Sequence, residues 1–469
     1  MNTIFHKSSP GRSAFELPPS QVKKTTLSTP RETSLNLPEL AEIDIVRHYT
    51  NLSKNIYSID EGFYPLGSCT MKYNPKINED VAGLTGFKDI HPLQPIDSVA
   101  GAIEVFSLAN NLLKEVTGMD QMSFQPAAGA QGELSAMLMI KKYYEKRNDT
   151  ERTVVIVPDS AHGTNPASAN MAGFKVKTVP SKNGYVDLEA LKTMVDHTTA
   201  ALMLTNPNTL GLFEKDVLEI SRIIHEAGGL LYCDGANMNA ILGKVRPGDI
   251  GFDVIHLNLH KTFSTPHGGG GPGCGAVGVK SHLIDYLPLP YVKNHEFITD
   301  APDSIGAMKN FYGNFLVVVR ALTYLLSLGG NGLTRTSELA VLNANYLYSL
   351  LEGYELAFDV PFLHEFVLSL VNIKKEKNMS ALDISKGLID YGIHPPTMYF
   401  PISIPEALMV EPTETENIDT LRMAARAFNE LLEKDPEVLK SAPHTTKIGR
   451  VDEVKAARQP ILSVEESHD

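Results

Sequence analysis

A lysine that ends a strand and opens a glycine-rich loop can present its amine to a bound molecule, and Lys261 has that placement. In DVIHLNLHKTFSTPHGGGGPGCG, which begins at Asp253, a strand's period of two puts Ile255, Leu257 and Leu259 on one face and His256, Asn258 and His260 on the other. Seven of the eleven residues from Ser264 to Cys274 are Pro or Gly, so backbone can approach a ligand closely there. His256 and His260 stand four residues apart, a spacing that converges on a metal only on a helix. The alternation argues for a strand, and no metal site is expected. Taken alone, Lys261 reads as a solvated surface lysine, as most lysines are.

Four further stretches change that reading. In CDGAN, Asp234 closes the apolar run Leu230 to Cys233, where open α/β sheets gather ligands, although an aspartate there can equally cap a helix. In TNPNTLG, Thr205 and Asn206 reach a strand end before Pro207, which by itself is turn chemistry. In FQPAAGAQGE the small residues Ala127, Ala128, Gly129 and Ala130 precede a helix carrying Leu134, Met137, Leu138 and Lys141. The free N–H groups and positive dipole end of such a helix suit a phosphate. In PDSAHGTNPASA, His162 follows the strand from Thr153 to Val157 and could stack on a planar ligand. A phosphate seat, a stacking ring, an aspartate and an amine at the ends of elements form the inventory that pyridoxal phosphate requires.

The elements that must position these residues follow a βαβ grammar. TVVIVPD from Thr153, AALMLTNPN from Ala200, GLLYCDG from Gly229 and DVIHLNLH from Asp253 are short apolar runs of strand length. Between the second and third, VLEISRIIHEAGG sets Val217, Ile220, Ile224 and Ala227 on one helical face and stops at Gly228. Strands and helices alternating in this way predict a largely parallel sheet covered by helices. Residues 1–75, rich in Pro, Ser and Thr, are expected to form an extended arm, and 76–330 the large cofactor-binding domain. The helical ELAVLNANYLYSLLEG, a strand over EFVLSLVNIK and a helix around LRMAARAFNELLEK predict a smaller α+β domain over 331–442. Residues 443–469 read as a surface tail.

Composition narrows the function classes. The chain has 469 residues, 43% hydrophobic and 21% charged, with a formal net charge of −13, so phosphate backbones and anionic membranes repel it as a whole. Neither nucleic acid nor membrane is expected as a partner. The three cysteines, Cys69, Cys233 and Cys274, contain no C-x-x-C pair and fit a reducing cytoplasm. The most apolar run, Phe315 to Leu328, is interrupted by Arg320 and reads as a core helix. The first 30 residues lack a continuous apolar stretch, so no secretory signal is expected.

Five stretches carry a resemblance: GFYPLGSCTMKYNPK from Gly62, FQPAAGAQGE from Phe124, PDSAHGTNPASA from Pro158, LHKTFSTPHGGGGPG around Lys261 and ALMVEPTETE from Ala407. In them the chain resembles the glycine-cleavage P-protein family, glycine dehydrogenase (decarboxylating), in its two-subunit form, and there the second subunit. The resemblance implies a fold-type I, aspartate-aminotransferase-like pyridoxal-phosphate enzyme, with a large, mostly parallel-sheet domain and a smaller C-terminal one. It implies pyridoxal phosphate held covalently on Lys261, His162 stacked on the ring, Asp234 at the ring nitrogen and Ala128, Gly129 and Ala130 around the phosphate. His260, beside Lys261, joins the cofactor's site, and Asn206 near the phenolic oxygen rests on a looser fold-level analogy. Lys261 and His162 are the candidate catalytic groups.

The family's reaction is decarboxylation of glycine with transfer of the aminomethyl group to the lipoyl arm of an H-protein. The implied partners are subunit 1 in an α2β2 assembly, the lipoylated H-protein, and the T-protein and L-protein of the same system. Ser68, Cys69, Thr70 and Lys72 lie in a matching stretch, as site residues or as turn chemistry. The competing readings are a cysteine desulfurase, a β-eliminating lyase and a non-catalytic structural subunit. A desulfurase needs a nucleophilic cysteine on a mobile loop, and Cys274 lies too near the glycine-rich turn to favour it.

Overall fold

The structure is a computed structural model that describes residues 3–13, 15–33, 35–268 and 273–462. The glycine run after Gly268, residues 269–272, therefore lies outside the described residues. The chain forms two compact units, Met1–Glu61 and Gly62–Asp469. The first holds the helix Glu42–Ser53, with Arg12 paired to Asp44 at 2.5 Å. The arm expected over 1–75 thus ends early, because residues from Gly62 onward pack within the second unit. There the Gly67 N–H donates to the Met409 carbonyl at 3.3 Å, and a Cβ on Gly67 would collide with the Met409 side chain.

The second unit is built on seven strands: β1 (Gln121–Ser123), β2 (Val154–Pro158), β3 (Lys175–Val179), β4 (Thr199–Thr205), β5 (Leu230–Asp234), β6 (Val254–Asn258) and β7 (Gly275–Val279). Their order across the sheet is β1-β7-β6-β5-β4-β2-β3. Five neighbours, β6 to β3, run parallel, and β7 is antiparallel to both β6 and β1. All residues of β2, β4, β5 and β6 are buried, as strands covered on both faces require. Helix α1 (Gly129–Lys146), helix α2 (Thr164–Met171) and helix α3 (Val217–Glu226) connect or cover them. Helix α3 buries Val217, Ile220 and Ile224, and Gly228 then turns the chain with a left-handed φ of 77°.

Helix α4 (Phe315–Ser349) is broken at Gly329, where φ is 60°. Among the described residues it is the one helix long and apolar enough to cross a membrane. Val317, Val318, Val319 and Leu325 are nevertheless core residues, and Arg320 pairs with Glu79 at 2.7 Å.

A second, antiparallel sheet follows. Its strands, β8 (Glu355–Leu356), β9 (Phe366–Ser369), β10 (Thr397–Met398) and β11 (Ala407–Val410), lie in the order β8-β9-β11-β10. Helices α5 (Ala381–Asp390) and α6 (Ile418–Leu431) share its core, burying Ile384, Leu388, Ala424 and Phe428 with Phe366 and Leu408. EFVLSLVNIK is a strand only to Ser369; Val371–Lys377 is a helix, where Ile373 keeps the apolar contact. The expected surface tail is tied down as far as Arg450, which pairs with Asp383 at 2.8 Å.

Candidate active site

The parallel register aligns three polar residues: Thr205 and Asp234, each last in its strand, lie opposite one another, and Asp234 lies opposite His256, two residues before the end of β6. Asp234 is buried, and its carboxylate accepts from the Asn165 amide at 3.0 Å and the Ala236 N–H at 3.0 Å, with His256 Nε2 at 3.5 Å. Burial alone would raise its pKa. His256, Asn165, the Ala236 N–H and Lys261 together hold it below the ordinary carboxylate value, so Asp234 is ionised. His256 is itself fixed by Tyr232 Oη at 2.5 Å and Asn258 at 2.8 Å.

Helix α1 begins over this row because its first turn has no side chains to keep it away. A Cβ on Gly129 would collide with Asn258, and one on Gly132 would lie 2.9 Å from the His256 Cβ. No side chain caps the helix, so the N–H groups of its first turn keep their donor capacity. Glu133, one turn on, accepts from Thr164 at 2.9 Å and Ser168 at 3.2 Å. Burial first, then the charge of Asp234, raises its pKa.

Lys261 follows β6 by one turn and is 8% exposed, its Nζ donating to the Ser68 carbonyl at 2.7 Å. Ser68 has a left-handed backbone (φ 64°), a conformation that costs a non-glycine residue of order 1 kcal/mol or more. That turn aims its carbonyl at Lys261 and its N–H at Glu365, 2.9 Å away. His162 is exposed, with Nδ1 2.8 Å from Thr164 Oγ1 and its ring 5.7 Å from that of Phe400. Burial of the ring atoms, then Lys261, lowers its pKa, which leaves it neutral at pH 7. His260 is driven down to about 3 by burial, with His267 and Lys261 adding to the effect, and its Nδ1 has no partner.

These residues close on one cavity of about 230 Å³, lined by Ala128, Gly129, Ala130, Glu133, His162, Asp234, His260 and Lys261, with Ser68, Thr205 and Asn237 also in its wall. Asn206 is not brought there. Its Oδ1 accepts from the Glu214 N–H at 2.9 Å, in the turn that TNPNTLG first suggested, while its buried Nδ2 has no hydrogen-bond partner. The remainder of the set fits pyridoxal phosphate: uncapped helix donors for an anion, an ionised buried acid for a ring nitrogen, an orphaned imidazole nitrogen in the wall and an amine.

Comparison with known proteins agrees with this site. Residues 336–447 match the family description "Glycine dehydrogenase, C-terminal domain", and 130–292 match "Aminotransferase class-V". A protein of Thermotoga maritima named "Probable glycine dehydrogenase (decarboxylating) subunit 2" is 54% identical over 469 residues, covering 98% of this chain and 99% of its own. One of the same name from Treponema denticola is 57% identical over 441 residues, 92% of each chain. The chain belongs to the glycine dehydrogenase (decarboxylating) subunit 2 family.

The family's fold is also seen in solved structures. A glycine decarboxylase (P-protein) of the glycine cleavage system, in inhibitor-bound form, superposes with a TM-score of 0.70 at 21% identity, covering 88% of this chain and 93% of its own. A NifS-like protein gives 0.61 at 17% identity, with 79% and 99% covered. At these identities the likeness shows the fold: the class V aminotransferase architecture of fold-type I, with its smaller C-terminal domain.

Sequence reasoning on this glycine dehydrogenase family chain missed Glu133, Glu365 and Glu411. Glu133 was detectable, since it lies four residues into the helix that Gly129 opens. The other two lie behind the cavity wall, against Ser68, Asn237 and Thr70, and only the second sheet places them there. Lys72, one of the four polar residues singled out near the start, is structural: its Nζ meets Glu414 at 2.8 Å, the Thr262 carbonyl at 2.7 Å and Tyr324 Oη at 2.9 Å.

Proposed function

We propose that this chain is the cofactor-bearing subunit of a glycine dehydrogenase (decarboxylating), releasing carbon dioxide from glycine and passing the aminomethyl group to the lipoyl arm of an H-protein. The observation that carries the reading is the meeting of Lys261 and ionised Asp234 in one pocket beside an uncapped helix start. Lys261 is the covalent anchor of pyridoxal phosphate, and the N–H groups of Gly129 and Ala130 hold its phosphate. Asp234 keeps its ring nitrogen protonated, while His162 stacks on the ring. Pyridoxal phosphate, when bound, supplies an electron-poor ring that accepts the electron pair left by a departing carboxylate.

The chain's own residues set the conditions for that chemistry. His256, Asn165 and Ala236 keep Asp234 charged inside the fold, where its interaction with a cation is strong. In the cofactor-free chain Ser68 holds the Lys261 amine at the pocket wall, ready for the cofactor's aldehyde. Neutral His162 and the amine of Lys261 are the groups at the pocket able to take a proton. The partners of this reading are subunit 1, probed as an α2β2 complex, with the H-, T- and L-proteins, all in the cytoplasm.

The geometry gives the desulfurase and structural-subunit readings no support, and glycine-dependent exchange separates the β-eliminating lyase, which would use the same pocket. Cys274 is completely buried and its thiol is pushed up to about 12, first by that burial, so it offers no thiolate to a desulfurase reaction. A purely structural subunit would have no use for Lys261, Asp234 and His162 in one pocket. Borohydride reduction of the purified complex followed by peptide mapping tests the reading. A pyridoxyl group on Lys261, with glycine-dependent bicarbonate exchange, is the expected result, and a label on the partner subunit alone would refute it.

A further inference from the structure

Strands β9 and β11 pair antiparallel with Phe366 opposite Val410, so the residues one step beyond, Glu365 and Glu411, face each other across the same end of the ladder. Directly opposed like charges on an antiparallel pair repel. Both glutamates are 0% exposed. Glu365 accepts from the Ser68 N–H at 2.9 Å and the Asn237 amide at 3.3 Å, and Glu411 Oε1 accepts from Thr70 Oγ1 at 2.7 Å and the Asn239 amide at 2.9 Å. Glu411 Oε2, buried, has no hydrogen-bond partner.

The charged surroundings are few. Lys261 acts on both acids, and Glu414, already bound to Lys72, adds a further negative charge. His364 is fully buried, with its Nε2 3.7 Å from Glu365 Oε1 and neither ring nitrogen hydrogen-bonded, and burial, then Lys261, pushes it down to about 3, so it brings no charge. The Cys69 thiol, raised by burial, is neutral as well. Burial raises both glutamates, and the charge of Glu411 raises Glu365 further, to about 8. Two buried carboxylates with one neighbouring cation cannot both ionise at neutral pH without a large desolvation cost.

We infer that Glu365 and Glu411 hold one proton between them and so limit to one the negative charge set beside the Lys261 amine, to which Glu365 is joined through the Ser68 peptide. The role is one of positioning and electrostatics, and it rests on the reading of Lys261 as the cofactor's anchor. Lys261 reacts with an aldehyde only as the free amine. A second full negative charge beside it would hold the ammonium form more tightly, and the shared proton limits that charge to one.

Infrared spectra of the full-length chain stripped of cofactor test the first part. Near neutral pH they will show the carbonyl stretch of a protonated carboxylic acid that fades as the pH rises to about 9, and the E365Q/E411Q double variant will lack it. Capture of pyridoxal phosphate by Lys261, fixed with borohydride over the same pH range, tests the second. E411Q will react roughly tenfold faster than the native chain at about pH 9, and the two will converge near pH 6. No such band in the native chain, a band that survives in the double variant, a stoichiometric divalent cation found by elemental analysis, or identical pH profiles would overturn the inference. If the variants do not fold, the titrating band of the native chain decides. A pyridoxyl label on another lysine would overturn the reading of the pocket instead, since the infrared band reports the shared proton without any cofactor.

Discussion

The amine of Lys261 donates to the carbonyl of Ser68 at 2.7 Å, across 193 residues of sequence. The contact joins the loop after β6 to the segment that begins the second unit, and that segment in turn leans on β11 through Gly67. The large sheet, the second sheet and the stretch between Gly62 and Pro75 therefore all bear on one amine.

Replacing Lys261 by Ala removes both the anchor and a proton acceptor. Glycine–bicarbonate exchange should fall by roughly a thousandfold or more, as when the central member of a covalent catalytic set is lost. Exchange assays on the reconstituted complex read this directly; retention of activity within tenfold would sink the assignment.

Asp234→Asn keeps the shape and removes the charge. The expected loss in kcat is about 100-fold or more, because the group that keeps a ring nitrogen protonated acts where charge develops. Steady-state kinetics at saturating pyridoxal phosphate separate this from weaker cofactor binding, and an effect on KM alone would contradict the role.

The pair Lys72 and Glu414 is buried, at 1% and 5% side-chain exposure. Burial alone would strip Lys72 of its proton, but Glu414 and Tyr324 hold it charged. Glu414→Gln leaves that cation without its counter-charge and should cost about 3 kcal/mol or more of stability. Urea denaturation midpoints of the native chain and the variant measure it.

His225 donates to Asp253, at 2.8 Å, and that bond raises the pKa of the ring, while burial works against it. A folded pKa above the unfolded value of about 6.5 means that the contribution is complete below about pH 6.5 and disappears as pH rises through the folded pKa. The ring is 39% exposed, so the effect should stay under about 1 kcal/mol. The gap in Tm between the native chain and H225Q should be wider at about pH 6 than at about pH 9, and a gap that widens with pH would contradict the pairing.

Thiol labelling offers a simple check on the buried cysteines. Cys233 and Cys274 are 0% exposed with pKa values raised above the ordinary thiol range, so neither should react with iodoacetamide at neutral pH. Cys69, half-buried beside His267, should react slowly and first. Mass spectrometry of the native and urea-unfolded chain counts the labels; rapid labelling of Cys274 would reopen a thiol-based reaction.

Four of the seven strands of the large sheet, β2, β4, β5 and β6, the helices α1 and α3, and the ends at which Asp234, His162, Gly129 and Lys261 stand are legible in the sequence by itself. Those features are local: a period of two or 3.6, a small-residue helix start, a turn after an apolar run. It could not tell which way Asn206 turns, since an asparagine at a strand end can face the ligand or its own loop, and here the Glu214 N–H claims it. Nor could it bring Glu365 and Glu411 up behind the cavity wall. Those acids arrive through the antiparallel pairing of β9 with β11 and through contacts reaching back to Ser68 and Thr70, 297 and 341 residues away. No local period carries such a pairing. Only the packed tertiary structure decides which buried charges must share a proton, because burial and opposition are properties of the assembled fold.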